Sequence, residues 1–402
     1  MVCDEESFTF FLFVRGNASI LAQLLDSSFY PNSPFVGDYI YKKASGYTTL
    51  LPNATPIDFH NTFVMASCTK LITTIAALQC VERGLITLDE PLDPHLPELA
   101  KQEIIEFDET TGTFSCKARR ESITLRQLLT HSSGIGYDHG EPALEAWRES
   151  RGEKPLCLTA RVVDAFGTPL LFEPGTGWKY GGGIDWAGLL VQRLNGNTSL
   201  EAYYIENIFA PLKLESTTLH LHLKPHLVPL FVGPSYRAPD GNLIPGLLPY
   251  PWPPGDEYGG NGLYSSVPDY IAVLGDIIKD EPVLLKKESA DIMFSPQLPP
   301  DSDALKHLYK EQHLFENSAG GHIGDLGINY GLGALLFTEH VPLTGAPPNT
   351  LAWGGLPNLL WWANREQGVA GMYATQVIPH ADGRNTKLAA TFQKAIWESK
   401  KK

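Results

Sequence analysis

From Ser67 onward the apolar residues recur at helical spacing. Leu71, Ile75 and Leu78 fall at i, i+4 and i+7 with Ile72 and Ala76 beside them, and Arg83 and Gly84 supply a C-terminal cation and a stop. The pattern predicts a helix that is apolar on most sides and therefore buried. A second helix is expected after Thr124 as N-cap, over Leu125-Arg126-Gln127-Leu128-Leu129 and stopping at Ser132-Ser133-Gly134. Further helices are expected over 184–194 and 268–278, with a closing amphipathic helix over 385–397. Residues 39–47 open with aromatic and β-branched side chains and end on small ones, and 368–379 have a similar strand character. Strands at both ends with helices between them predict a sheet assembled from both termini. Residues 244–255 carry five prolines, which cannot join a central strand or helix, so they are read as an ordered loop or lid. No internal repeat, heptad run or low-complexity tract interrupts this pattern.

The chain has 402 residues, 43% of them hydrophobic and 10% aromatic, enough for a sizeable core. Its formal net charge of −14 removes phosphate-backbone attraction as a driving force, so neither nucleic acid nor an anionic membrane is an expected partner. The cysteines Cys3, Cys68, Cys80, Cys116 and Cys157 are odd in number, scattered, and form no Cys-x-x-Cys pair. They read as free thiols in a reducing, cytoplasmic setting. The early apolar run from Phe8 to Val14 is short and follows Asp4, Glu5 and Glu6, whereas a signal peptide begins with a basic stretch. No stretch approaches the roughly 20 apolar residues of a membrane-spanning helix, and a soluble protein is expected.

Candidate chemistry gathers in three places. Ser67-Cys68-Thr69-Lys70 puts a hydroxyl and an amine at i, i+3 on one face of the first helix, near its positive dipole end. A lysine desolvated against that helix has its pKa lowered and could take the serine proton. Spacing alone does not establish this, because Ser399 and Lys402 repeat it in a charged tail. The run 173–183 is a glycine-rich loop that projects Tyr180, either as a general base beside an ammonium or as an ordinary packed aromatic. It matches no phosphate-binding loop. Trp353-Gly354-Gly355-Leu356 lies ahead of Trp361 and Trp362, and its paired glycines either admit a substrate and offer an N–H to an oxyanion or mark a packed strand bend. Two further features are weaker. His220-Leu221-His222 with His226 nearby alternates as a strand does and has no acidic ligand close in sequence, so no metal is expected. His131 precedes Ser132 and Ser133 without a Gly-x-Ser-x-Gly elbow, and reads as a helix-terminal histidine facing the dipole.

Taken in chain order, Ser-x-x-Lys, a tyrosine on a glycine-rich loop and a late x-Gly-Gly strand resemble the serine β-lactamase and penicillin-binding-protein superfamily, in its class C-like esterase and transesterase branch. Leu128-Leu129-Thr130-His131-Ser132-Ser133-Gly134 and Gly259-Gly260-Asn261-Gly262-Leu263-Tyr264-Ser265 also look like that family. The likeness covers about residues 39–397 and is closest to fungal lovastatin-type acyltransferases that acylate polyketides. The resemblance implies an α/β fold of the β-lactamase/transpeptidase type, an antiparallel sheet flanked by helices with an inserted, mainly helical region. It implies one catalytic domain over 1–402, with a sheet subdomain of about 1–90 plus 325–402 and a helical and loop subdomain of about 91–324. It further implies Ser67 as nucleophile, Lys70 and Tyr180 as the acid–base pair, and an oxyanion hole from Ser67 and the Gly355–Leu356 region. No cofactor is implied.

Departures from the pattern narrow the substrate. Trp353-Gly354-Gly355 stands in place of Lys-Thr-Gly, and Tyr180-Gly181-Gly182 in place of Tyr-x-Asn. A cation and an amide that would hold a carboxylate and a peptide-like group are missing, which disfavours penicillins and peptidoglycan. Tyr250 and Trp252 in the proline-rich loop, with Trp353, Gly354, Trp361 and Trp362, are expected to form an apolar, flat-walled substrate pocket, Trp361 and Trp362 reading equally well as core aromatics. The expected activity is transfer of a short acyl group from a thioester, on an acyl carrier protein or coenzyme A, to a hydroxyl of a hydrophobic polyketide-type alcohol. A carboxylesterase or lactone hydrolase is the alternative, followed by a non-catalytic binding member of the fold. The first 35 or so residues do not match the family's usual opening, leaving the first edge of the sheet unassigned.

Overall fold

The computed structural model describes residues 8–14, 38–52, 54–157, 161–249, 251 and 253–399. Its centre is a seven-stranded antiparallel sheet. The strands are β1 (Phe8–Val14), β2 (Asp38–Ser45), β3 (Ile328–Tyr330), β4 (Leu335–Phe337), β5 (Thr350–Gly355), β6 (Leu359–Asn364) and β7 (Val369–Ala374), in the order β2-β1-β7-β6-β5-β4-β3. Both ends of the chain supply strands, as expected. The apolar run that begins the chain is thus an interior strand: Leu12 lies opposite Gly371 on one side and Tyr41 on the other. A continuous apolar run gives no alternation by which to recognise a strand.

Five helices frame the site: α1 (Thr69–Glu82), α2 (Leu125–Leu129), α3 (Gly183–Leu194), α4 (Val267–Ile277) and α5 (Gly383–Ser399). Residues Thr69 to Cys80 of α1 are buried without interruption, which explains why its apolar positions run round the helix instead of forming a stripe. α2 begins with a capping box, Thr124 Oγ1 accepting from Gln127 N (3.3 Å) and Gln127 Oε1 accepting from Thr124 N (3.0 Å). It ends at Leu129, earlier than the expected stop, because His131 turns into the left-handed region at φ 57°.

Strand alternation sorts the aromatic residues onto the two sheet faces. Tyr41 and Trp362 meet Phe392 of α5, and the Tyr373 hydroxyl donates to Asn385 Oδ1 (2.6 Å). Trp353 and Trp361 stand opposite each other on the other face. Trp361 and Trp362 are 1% and 0% exposed, so both are core residues.

The expected strand over 368–379 is two strands. Thr375 and Gln376 break it, and Val377–Ile378 joins a separate sheet alongside Ser235–Arg237, which pairs in turn with Leu243–Pro245. Pro245 sits at the end of that outer strand, where a missing N–H costs no ladder bond. At the break, the Gln376 side chain donates to Val64 O (3.2 Å) and accepts from Val64 N (3.3 Å). The last strands of the chain are thereby joined to the segment that leads into Ser67.

Candidate active site

The strand Thr62–Val64 pairs with Tyr264–Ser266 and runs into a single 3-10 turn, Ala66–Cys68, before α1 begins. Ala66 holds φ 46°, a conformation that an L-residue adopts only under constraint. The constraint is visible. Met65 N donates to Leu263 O (2.9 Å), the Thr69 hydroxyl donates to Ala66 O (2.6 Å), and the same hydroxyl accepts from Leu263 N (3.0 Å). Ser67 is fixed at the head of a buried helix as a result.

Two side chains converge on it. The Tyr180 hydroxyl donates to Ser67 Oγ at 2.6 Å, and Lys70 Nζ donates to the same oxygen at 3.3 Å. Lys70 is fully buried, and its ammonium also donates to Gly260 O (2.8 Å) and to the Tyr137 hydroxyl (3.3 Å). It lies 4.7 Å from the centre of the Tyr180 ring, close enough for a cation–π contact. Ser67, Lys70 and Tyr180, separated by up to 113 residues, are therefore in one hydrogen-bonded group.

Sequence reading passed over Tyr137. It follows Gly134-Ile135-Gly136, the same glycine-flanked setting that singled out Tyr180, and that likeness was its available signal. The two tyrosine loops pack backbone to backbone: a methyl group added to Gly181 would stand 2.2 Å from Ile135 O and 2.7 Å from Gly136 Cα. The rings themselves meet edge to face at 5.5 Å.

His131 is not the dipole-facing cation that its position at the end of α2 suggested. It is buried, with both ring nitrogens unpartnered, and packs against Trp178, Tyr180 and Tyr330. Burial and the nearby Lys70 charge push its pKa well below the usual imidazole value, so it stays neutral and acts as an aromatic wedge behind Tyr180. The histidine pair near 220 also departs from expectation. Leu221–Leu223 is a 3-10 turn, not a strand, and His220 Nε2 lies 2.7 Å from Glu257 Oε1, an acid brought in from 37 residues away. Among the described residues no group of three or more His, Cys, Asp or Glu side chains could hold a metal ion.

The late strand β5 reaches Ser67 from the other side. Gly355 has no room for a side chain, since a methyl group there would stand 2.4 Å from Met65 O. The Gly355–Leu356 backbone is thereby brought against the turn that carries Ser67. Trp353 is buried, its ring 5.3 Å from Tyr180 and 5.7 Å from Tyr330. Leu356 packs with Phe231 and Leu248 against a small apolar cluster of Val64, Ala66, Leu221, Leu227 and Tyr264, separate from the main core. Of the expected pocket residues, Tyr250 and Trp252 lie outside the described residues.

The sequence pattern of the Beta-lactamase family matches residues 37–393. The chain belongs to the Beta-lactamase family. Within it, the chain is 38% identical to the acyltransferase calJ of Penicillium decumbens, over 90% of this chain and 87% of that protein. It is 35% identical to a lovastatin esterase of Penicillium rubens, over 90% of this chain and 91% of that one. Among solved structures, unliganded simvastatin synthase (LovD) from Aspergillus terreus, as its selenomethionyl derivative, superposes with a TM-score of 0.83 at 29% identity, covering 98% of this chain and 94% of that chain. The β-lactamase/transpeptidase-like fold expected from the motifs is the fold observed. No helix among the described residues is long and apolar enough to cross a membrane.

Proposed function

We propose that this member of the Beta-lactamase family is a serine acyltransferase. In this reading it moves a short acyl group from a thioester donor, carried by an acyl carrier protein or coenzyme A, to a hydroxyl of a hydrophobic polyketide-type alcohol. The observation that carries it is the convergence of the Tyr180 hydroxyl and Lys70 Nζ on Ser67 Oγ. Ser67 attacks the donor carbonyl while the Lys70–Tyr180 pair takes its proton and returns it to the leaving thiolate. The backbone N–H groups of Ser67 and the Gly355–Leu356 segment stabilise the oxyanion. The acyl-enzyme is then discharged by an alcohol whose proton follows the same route in reverse. The likeness to calJ and simvastatin synthase, named as an acyltransferase and a synthase, supports transfer.

Hydrolysis is the second reading, favoured by the lovastatin esterase at 35% identity. The same acyl-enzyme serves both reactions, and the outcome depends on which hydroxyl reaches it. The apolar cluster beside Ala66, with Phe231, Leu248 and Leu356, favours a hydrophobic acceptor over water. A bound alcohol gains an effective molarity that outweighs the roughly 55 M of bulk water. The deciding experiment follows thioester consumption with and without a panel of polyketide alcohols. Transfer predicts faster donor consumption when deacylation is limiting, with product appearing as ester. An unchanged rate and no ester would leave the esterase.

A second expected outcome concerns substrate class. Trp353 occupies the position of a carboxylate-binding lysine, so neutral thioesters and aryl esters should react and penicillins should be poor substrates. Competitive turnover of a chromogenic cephalosporin and an aryl ester checks this, and comparable rates would contradict it.

A further inference from the structure

The acid–base pair leaves one buried ionisable group nearby unexplained. Asp185, in the first turn of α3, is fully buried. Its Oδ1 accepts a hydrogen bond from Gly260 N (2.8 Å), and its Oδ2 has no hydrogen-bond partner. The carbonyl of that same Gly260 is what receives Lys70 Nζ at 2.8 Å. One residue, Gly260, therefore links a carboxylate, through its N–H, to the ammonium that touches Ser67, through its carbonyl.

Only glycine permits this arrangement. A methyl group on Gly260 would stand 2.3 Å from Asp185 Oδ2, and on Gly259 it would press on Thr73, 3.0 Å from Cγ2. Thr73 donates to Gly259 O and so holds the preceding residue from the α1 side. The Gly259–Gly260 strip is thus clamped between α1 and α3.

From this geometry we infer that Asp185 is a positioning residue for the acid–base pair, anchoring the residue Gly260 whose carbonyl holds Lys70 in place, and supplying the negative charge that balances it. The inference rests on the reading of Ser67 as the nucleophile. A buried ammonium needs a counter-charge or a full set of acceptors. Lys70 has three acceptors in Ser67, Tyr137 and Gly260, and Asp185 is the carboxylate behind one of them. Other groups facing Asp185 are Asp256, Cys157 and Tyr204, none of them a cation, while the pair is faced by Tyr137, His131, Cys68 and Tyr330. Desolvation raises the Asp185 carboxyl to about 6, with Lys70 opposing that rise, so the charge is present at neutral pH.

Asp185→Asn keeps the acceptor for Gly260 N and removes only the charge. Loss of a negative charge makes the Lys70–Tyr180 pair give up its proton more readily, whichever member holds it. The test measures the rate of Ser67 phosphonylation by a fluorophosphonate against pH, read by intact mass. In Asp185→Asn the ascending limb should move to lower pH by about half a unit or more. Asp185→Ala, which also removes the acceptor, should label at least about tenfold more slowly across the whole range, with the asparagine variant recovering the rate above the limb. A merely structural role would change the melting temperature and leave the limb where it is, and that result overturns the inference alone. No labelling of wild-type Ser67 at any pH removes the nucleophile reading and the inference together. If Asp185→Asn does not fold, Asp185→Ser must move the limb in the same direction for the inference to stand.

Discussion

Ser67→Ala should form no acyl-enzyme with any activated ester, and its turnover should fall to the uncatalysed rate. Ser67 Oγ receives both a buried lysine and a tyrosine, at 3.3 and 2.6 Å. An alanine there is small enough to leave the turn Ala66–Cys68 intact, because that turn is held by backbone groups and the Thr69 hydroxyl. The loss should therefore appear without a change in melting temperature. Tyr180→Phe and Lys70→Ala should each lower acylation by a factor on the order of 10² to 10⁴, the scale of general acid–base help. Lys70→Ala should also destabilise the fold, since it leaves Gly260 O without its buried donor. Intact mass after incubation with an aryl ester reads the adduct, and a Ser67→Ala protein that turns over like wild type would falsify the mechanism.

Gly181→Ala should lower activity about 100-fold although the new methyl touches no reacting atom. At 2.2 Å from Ile135 O and 2.7 Å from Gly136 Cα, the methyl meets backbone, which cannot turn aside as a side chain tip would. The two tyrosine loops must part, and both hydroxyls in contact with Ser67 and Lys70, those of Tyr180 and Tyr137, shift with them. Overpacking of this kind costs about 1–3 kcal/mol of stability, so the protein should still fold. Acylation rate and thermal unfolding measured together decide the matter: a fully active variant would mean that the loop spacing does not set the position of Tyr180.

What could be read from the sequence follows the range over which each signal acts. Ser67 and Lys70 were legible because a helix places i and i+3 on one face regardless of what surrounds it. Tyr180 was legible through its flanking glycines, and the capping box of α2 through its local side-chain chemistry. Asp185 and Gly260 carried no local mark, because their meaning lies in a hydrogen bond between residues 75 positions apart. His131 misled for the same reason. Its place at a helix end pointed to a dipole contact, while the rings of Trp178, Tyr180 and Tyr330 decide its surroundings. Phe8–Val14 escaped assignment because a short, continuously apolar run carries no alternation, and the Leu–His alternation near 220 suggested a strand where the chain makes a tight turn.

The joining of Gln376 to Val64, and of Gly355 to Met65, has a consequence for how the protein is made. On the ribosome the helix that follows Ser67 emerges some 300 residues before the strand that props its approach. Contacts of such sequence separation close late and slowly, after the local helices have formed. Nascent chains stalled before residue 355 should therefore be inert towards serine-directed probes, and a truncated transcript yields no partially active enzyme. Catalytic competence arrives in one step, with the last strands.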